Sequence, residues 1–246
     1  MSPEPASVQK SASPVELEAR RKVGLAAAAL VEPGMVVGLG TGSTAAFAIA
    51  ELGRRKREEG LTMVGVPTSW SAFELARQAG LEVRALNDVD RVDLAIDGAD
   101  EVSPQLALIK GGGAAHTQEK LVATAARRFV VLVDDGKLVD VLGVKWAVPL
   151  EVLAVALRAV ERTLVALGAA PQLRKGGGKD GPVVTDHGNL VVDAKFPSIP
   201  DPVALARSLD AVPGIVEHGL FVDLADLVLV GSRSDGTIRT MSQASR

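Results

Sequence analysis

Four short stretches carry more glycine, hydroxyl and charge than packing requires. The first is Gly40-Thr41-Gly42-Ser43-Thr44, which follows the apolar run MVVGL and precedes a helical pattern. Glycines let a backbone approach an anion closely. The hydroxyls of Thr41, Ser43 and Thr44 join the free N–H groups of a helix start as donors to phosphate oxygens. A dinucleotide loop and a plain tight turn are the alternatives. Gly40, Gly42 and Ala45 satisfy a lax G-x-G-x-x-A, but the next apolar run ends in Val66-Pro67-Thr68, without the acid that would hold a ribose. No Gly-Lys-Ser/Thr occurs, so a Walker loop is excluded.

The second stretch, Asp97-Gly98-Ala99-Asp100-Glu101, closes the apolar run VDLAID. Ligands bind at that edge of open parallel sheets, and carboxylates there hold sugar hydroxyls or move protons. The competitors are an all-oxygen metal shell and a solvated acidic turn. The third stretch is Lys110-Gly111-Gly112-Gly113. Three glycines cost chain entropy, which points to close backbone approach, and Lys110 offers a cation to a developing oxyanion. A flexible surface loop is the alternative. The fourth is the helical segment HTQEKLVATAARR, with Glu119 in its first turns. Glu119 is a candidate base if its face looks back over the glycines; taken alone, a helix glutamate is more often solvated surface.

Composition removes other chemistries. The chain has 246 residues and no cysteine, which excludes disulfides, thiolate nucleophiles and iron–sulfur clusters. His116, His187 and His218 are too far apart for an HExxH zinc motif. With 27 basic and 30 acidic residues the net charge is −3, and aromatic residues are 3%. Nucleic-acid binding and an anionic membrane partner are therefore not expected. No apolar run reaches membrane-span length, and the first 13 residues read as a flexible terminus. We expect a cytoplasmic protein.

The elements that must position these residues alternate. Apolar strands MVVGLG, TMVGVP, LEVRAL, VDLAID and FVVLVDD are separated by helical segments, the pattern of a parallel, Rossmann-like α/β sheet covered on both faces. The block RRKREE reads as a solvated helix end. After residue 145 the pattern changes to strand WAVPLE, a long helix VLAVALRAVERTLVALG and strand APQLRK. A hairpin of PVVTD with LVVDAKF, a helix DPVALARSLDAV and a strand IVEHGLF complete the module. That is a βαββαβ, ferredoxin-like α+β module. We expect residues 14–145 plus 222–246 as the Rossmann-like catalytic domain and 146–221 as a small inserted domain. The module shows no charge constellation that demands chemistry.

Together these stretches resemble the A-type ribose-5-phosphate isomerases. The strings are GLGTGSTA, DLAIDGADEV, LIKGGGAA with TQEKLVA, DDGKLVDVLG, PLEV and VVTDHGNLVVD, in that order from about Val15 to the last strand. The resemblance implies interconversion of ribose 5-phosphate and ribulose 5-phosphate through an enediolate, without metal or other cofactor, by a homodimer or homotetramer. It implies Glu119 as general base, with Asp97 and Asp100 holding the sugar and assisting ring opening. Gly98 and Ala99 lie between those two. Lys110, Gly111, Gly112 and Gly113 become the wall around the reacting carbons. Thr41, Gly42, Ser43 and Thr44 become the phosphate loop, supported by Lys137 and by one of Arg20, Arg21 and Lys22, of which Arg20 is chosen. A base of this kind needs its pKa raised by burial or by neighbouring carboxylates. The rivals are a sugar-phosphate sensor, a CoA transferase and a nicotinamide dehydrogenase.

Overall fold

The computed structural model describes residues 13–177 and 180–242, so all but the last residue of the expected flexible terminus lies outside the described residues. In chain order the elements begin with α1 (Pro14–Ala28), β1 (Val36–Leu39), α2 (Ser43–Glu59), β2 (Val64–Pro67), α3 (Trp70–Gln78), β3 (Glu82–Val83) and β4 (Leu94–Gly98). Then come β5 (Glu101–Val102), β6 (Leu108–Ile109), α4 (His116–Ala125), β7 (Phe129–Asp134), β8 (Val148–Val152), α5 (Leu157–Ala166) and β9 (Ala170–Leu173). The chain closes with β10 (Leu190–Lys195), α6 (Pro202–Asp210), β11 (Ile215–His218), β12 (Leu220–Phe221), β13 (Leu227–Gly231) and β14 (Ile238–Ser242). Two compact units divide them: Met1–Gly98, Leu121–Lys137 and Leu224–Arg246 form one, and Ala99–Lys120 with Leu138–Asp223 the other.

The first unit is a seven-stranded sheet in the order β14-β13-β7-β4-β1-β2-β3. Its strands are parallel except β14, which runs antiparallel to β13. Strands covered on both faces must be apolar throughout, and β7, FVVLVD, is buried at every position. Val37, Leu39, Ile49, Leu52, Val130 and Leu132 are among the residues of its core. α1 starts where Ser13 and Glu16 form a reciprocal capping box ahead of Pro14, and it buries Ala19, Val23 and Ala27. The order reverses between β1 and β4, since β1 pairs with β2 on one side and β4 on the other. The loops that leave β1 and β4 therefore open at the switch point where such sheets bind ligands. RRKREE ends α2 as an exposed ion-pair network, with Arg54 bonded to Glu51, Glu58 and Glu59.

The second unit carries an antiparallel sheet in the order β11-β8-β10-β9. Strand, helix, two strands, helix, strand gives the expected split βαβ arrangement. Leu150, Val160, Leu164, Val192 and Leu209 belong to its core. A three-stranded sheet, β12-β6-β5, belongs to the same unit. This pairing places residues 99–120 and 138–145 in the second unit by compactness, where the expected boundary put them in the Rossmann-like domain.

Other expectations change in detail. The long helix begins only at Leu157, after a tight 3-10 turn over Ala154–Ala156 that leaves Val155 94% exposed. PVVTD forms isolated bridges, Lys175 with Pro182 and Val184 with Leu190, and β10 pairs instead with β8 and β9. IVEHGLF breaks at Gly219, where a Cβ would lie 2.2 Å from the Lys110 carbonyl oxygen, so β11 and β12 serve different sheets. β14 was not expected; its residues are mostly exposed and carry no apolar alternation.

Candidate active site

In the first unit the polar groups gather where β1 and β4 end. The Thr41 N–H donates to Asp97 Oδ1 at 2.9 Å, and the Gly98 N–H donates to the same oxygen at 2.7 Å. A Cβ on Gly40 would lie 2.5 Å from Asp97 Cα, so only glycine permits this approach. The Thr41 hydroxyl donates to Ser69 Oγ at 2.7 Å. Having spent its one proton, it accepts from Thr68 at 2.9 Å. In the sequence Thr68 marks only the end of an apolar run and Ser69 nothing, since two hydroxyls at a strand end are common.

α2 begins at Ser43 with no side chain capping its first N–H groups, which leaves them directed at whatever lies before the helix. Thr44 is buried in that first turn. Arg20, from α1, donates through Nη1 to Ser43 Oγ at 3.2 Å and pairs through Nε with Asp134 at 3.2 Å. Its neighbours are engaged elsewhere: Arg21 with Glu18, and Lys22 with the Gly236 carbonyl. Lys137 closes a 3-10 turn over Asp135–Lys137, directly after β7 in the same unit.

In the second unit Asp100 follows half-buried Ala99 and accepts the Gly112 N–H at 2.8 Å. Gly112 and Gly113 are exposed within a turn closed by the Ala114 N–H donating to the Gly111 carbonyl at 2.9 Å. Gly111 has φ +99°, and a Cβ there would lie 2.7 Å from His116 Nδ1. The side chains of Lys110 and Glu119 are 3% and 5% exposed, and Lys110 Nζ lies 3.2 Å from Glu119 Oε2. Glu119 is thus not the solvated surface that a lone helix glutamate usually is. Lys110 Nζ also stands 5.3 Å from the Phe221 ring centre. The ammonium therefore stands against the carboxylate where water barely reaches either group.

Glu101, third of the acidic cluster, has a different task. Fully buried, it accepts the backbone N–H groups of Gly143, Lys145 and Trp146, each at 2.6 Å. It anchors a loop.

The small module carries a buried polar cluster that its sequence did not declare. Glu151 on β8 is buried and accepts from Thr117 Oγ1, from Thr185 Oγ1 at 2.9 Å and from Asn189 Nδ2 at 2.8 Å. Burial pushes its carboxyl up, but the three donors outweigh that and hold it below the usual range. Thr117 lies two residues before Glu119, so PLEV and TDHGN converge on the turn that carries the candidate base. Next to Glu119, Lys120 Nζ donates to Glu217 Oε1 at 2.5 Å and to the His218 carbonyl at 2.6 Å. Asp210, Glu217 and His218 are spaced closely enough to hold a metal ion; here the Lys120 ammonium bonds Glu217 and His218, and Asp210 Oδ1 lies 3.1 Å from His218 Nε2.

The sequence matches the family described as Ribose 5-phosphate isomerase A (phosphoriboisomerase A) over residues 64–235. It is 53% identical over 227 residues to a ribose-5-phosphate isomerase A from Trichormus variabilis, covering 92% of this chain and 96% of that one. The enzyme of that name from Thermosynechococcus vestitus is 55% identical over 218 residues, covering 88% and 92%. Among solved structures, a D-ribose-5-phosphate isomerase in complex with phospho-erythronic acid superposes with a TM-score of 0.89 at 44% identity, covering 92% and 98%. The ribose 5-phosphate isomerase A of Methanocaldococcus jannaschii gives 0.88 at 46% identity, covering 92% and 99%. Relatives this similar along nearly their whole length show that this chain belongs to the ribose 5-phosphate isomerase A family.

Proposed function

We propose that this aldose–ketose isomerase converts D-ribose 5-phosphate to D-ribulose 5-phosphate with Glu119 as its base. The Glu119 carboxylate takes the proton from C2 of the open-chain aldose. The C2–H electron pair forms the C1=C2 bond, and the C1 carbonyl oxygen becomes the enediolate oxygen. A proton passes from O2 to O1, and the Glu119 carboxyl returns its proton to C1, leaving the C2 ketone. One carboxyl does both transfers because the planar enediolate keeps C1 and C2 on one face. Lys110 stabilises the charge that develops on oxygen. Asp97 and Asp100 hold the sugar hydroxyls and assist ring opening. The loop before α2 and the start of that helix, Thr41 to Thr44, take the phosphate with Arg20 and Lys137, and remote binding energy then fixes the reacting end.

The observation that carries this reading is the burial of Glu119 against Lys110. Among the described residues no helix is long and apolar enough to cross a membrane. A cytoplasmic setting and a homodimer or homotetramer complete the reading. The test is a ribulose 5-phosphate assay run with EDTA on the native chain and on Glu119→Gln. The native chain should turn over with chelator present, and the variant should keep its fold while kcat falls by about 10²-fold or more. Near-normal turnover in Glu119→Gln would remove the base assignment, and loss of native turnover in EDTA would remove metal independence.

A further inference from the structure

Arg174 sits just after β9, and its guanidinium is divided between two tasks. Nε and Nη2 grip the Asp193 carboxylate at 2.8 and 2.5 Å, a paired fork. Nη1 donates to the carbonyl oxygens of Gly111 and Gly112, each at 3.0 Å. The backbone beneath is fixed on both sides, since the Arg174 N–H donates to the Val191 carbonyl at 2.8 Å and its own carbonyl accepts from Val183 at 2.9 Å. The side chain is 16% exposed, so this arginine is held in place.

Those two carbonyls decide where two N–H groups point. Across a trans peptide the C=O of one residue and the N–H of the next face opposite ways, and the chain has no cis peptide among its described residues. With the Gly111 carbonyl turned to Arg174, the Gly112 N–H must face away from it, and it does: it reaches Asp100 Oδ2 at 2.8 Å. With the Gly112 carbonyl turned the same way, the Gly113 N–H faces away from Arg174 too. Glycine has no side chain to resist rotation of these peptides; the Ala114 N–H holds the Gly111 carbonyl from within the turn, and Arg174 holds both carbonyls from outside it.

We infer that Arg174, braced by Asp193, is a positioning residue for the reaction: it orients the Gly111–Gly112 peptide so that its N–H holds Asp100, and the Gly112–Gly113 peptide so that its N–H serves the developing oxyanion. The inference rests on the proposed enediolate chemistry, in which the glycine run walls the reacting carbons. Lysine cannot replace this arginine, because a single ammonium does not span a carboxylate fork and two carbonyls.

The test uses Arg174→Met, Arg174→Ala, Arg174→Lys and the milder Asp193→Asn, each checked by thermal unfolding. Their kcat and KM for ribose 5-phosphate are measured together with affinity for phospho-erythronic acid, whose carboxylate carries charge on oxygen as an enediolate does. Arg174→Met should lower kcat by about tenfold or more while KM stays within about threefold, and should weaken phospho-erythronic acid by a similar factor. Asp193→Asn should move the same values in the same direction by less, and Arg174→Lys should not restore them. Guanidinium at sub-denaturing concentration should return part of the kcat of Arg174→Ala. Unchanged kcat and analogue affinity, or a loss that Arg174→Lys repairs, would overturn the inference. So would a fall in active fraction with kcat per titrated site intact. Analogue affinity does not need the base, so an active Glu119→Gln would sink the base assignment while leaving this result to stand or fall alone.

Discussion

Lys110 Nζ and Glu119 Oε2 are 3.2 Å apart, and the two side chains are almost sealed from water. Separating a buried pair by deleting one partner costs about 3–5 kcal/mol, because the other charge stays buried. Lys110→Met should therefore lower both the unfolding midpoint and kcat, the latter by about 10²-fold or more. Adding Glu119→Gln should recover part of the lost midpoint, since no charged carboxylate is then left without its ammonium, but none of the activity. Double-mutant analysis of thermal unfolding should give a coupling of about 1–3 kcal/mol. Additive destabilisation would show that the two charges do not depend on each other.

Arg20 holds Ser43 Oγ and Asp134 together at the start of α2. In the proposed function that first turn takes the phosphate, so the effect of disturbing it belongs in substrate binding rather than in chemistry. Ser43→Ala and Arg20→Met should raise KM for ribose 5-phosphate, Arg20→Met by about tenfold or more, with kcat changed far less. Arg21→Met should do neither, because Arg21 is spent on Glu18 at the surface. Steady-state kinetics of the three variants decides it, and an equal loss in Arg21→Met would withdraw Arg20 from the phosphate site.

The groups proposed to do chemistry were legible because they are local in sequence. A loop between strand and helix, acids at a strand end and glycines after a lysine each declare themselves within five residues. The groups that hold them were not. Arg174 reaches its two carbonyls across more than sixty residues, and Glu151 meets Thr117 across thirty-four. No local pattern distinguishes such an Arg or Glu from a surface residue. PVVTD read as one strand of a hairpin with LVVDAKF, yet its Thr185, and Asn189 beyond it, are spent on Glu151. β14 escaped for a related reason: an exposed edge strand has little apolar periodicity to show. Where burial is two-sided, as in β1, β4 and β7, the apolar runs marked the strands to within a residue or two.

His116 opens α4, is fully buried, and packs its ring against Gly111. Burial pulls its pKa down to about 3; Glu151 opposes the shift, while Lys120 and Arg174 add to it. The imidazole is therefore neutral in the folded chain well below its ordinary titration range. In the unfolded chain it takes up a proton near its ordinary value of 6.5. Between 6.5 and about 3 the unfolded state holds the extra proton, so this group makes stability rise with pH. Its contribution is complete above 6.5 and is lost as pH falls below that, at up to ~1.4 kcal/mol per pH unit. His116→Leu keeps an apolar body against the glycine turn and removes the titration. Denaturant unfolding from pH 7.5 to 4.5 should show the native chain losing stability faster than the variant, the gap between them changing by more than about 1 kcal/mol across that range. Parallel curves would mean that His116 is not held neutral by the fold.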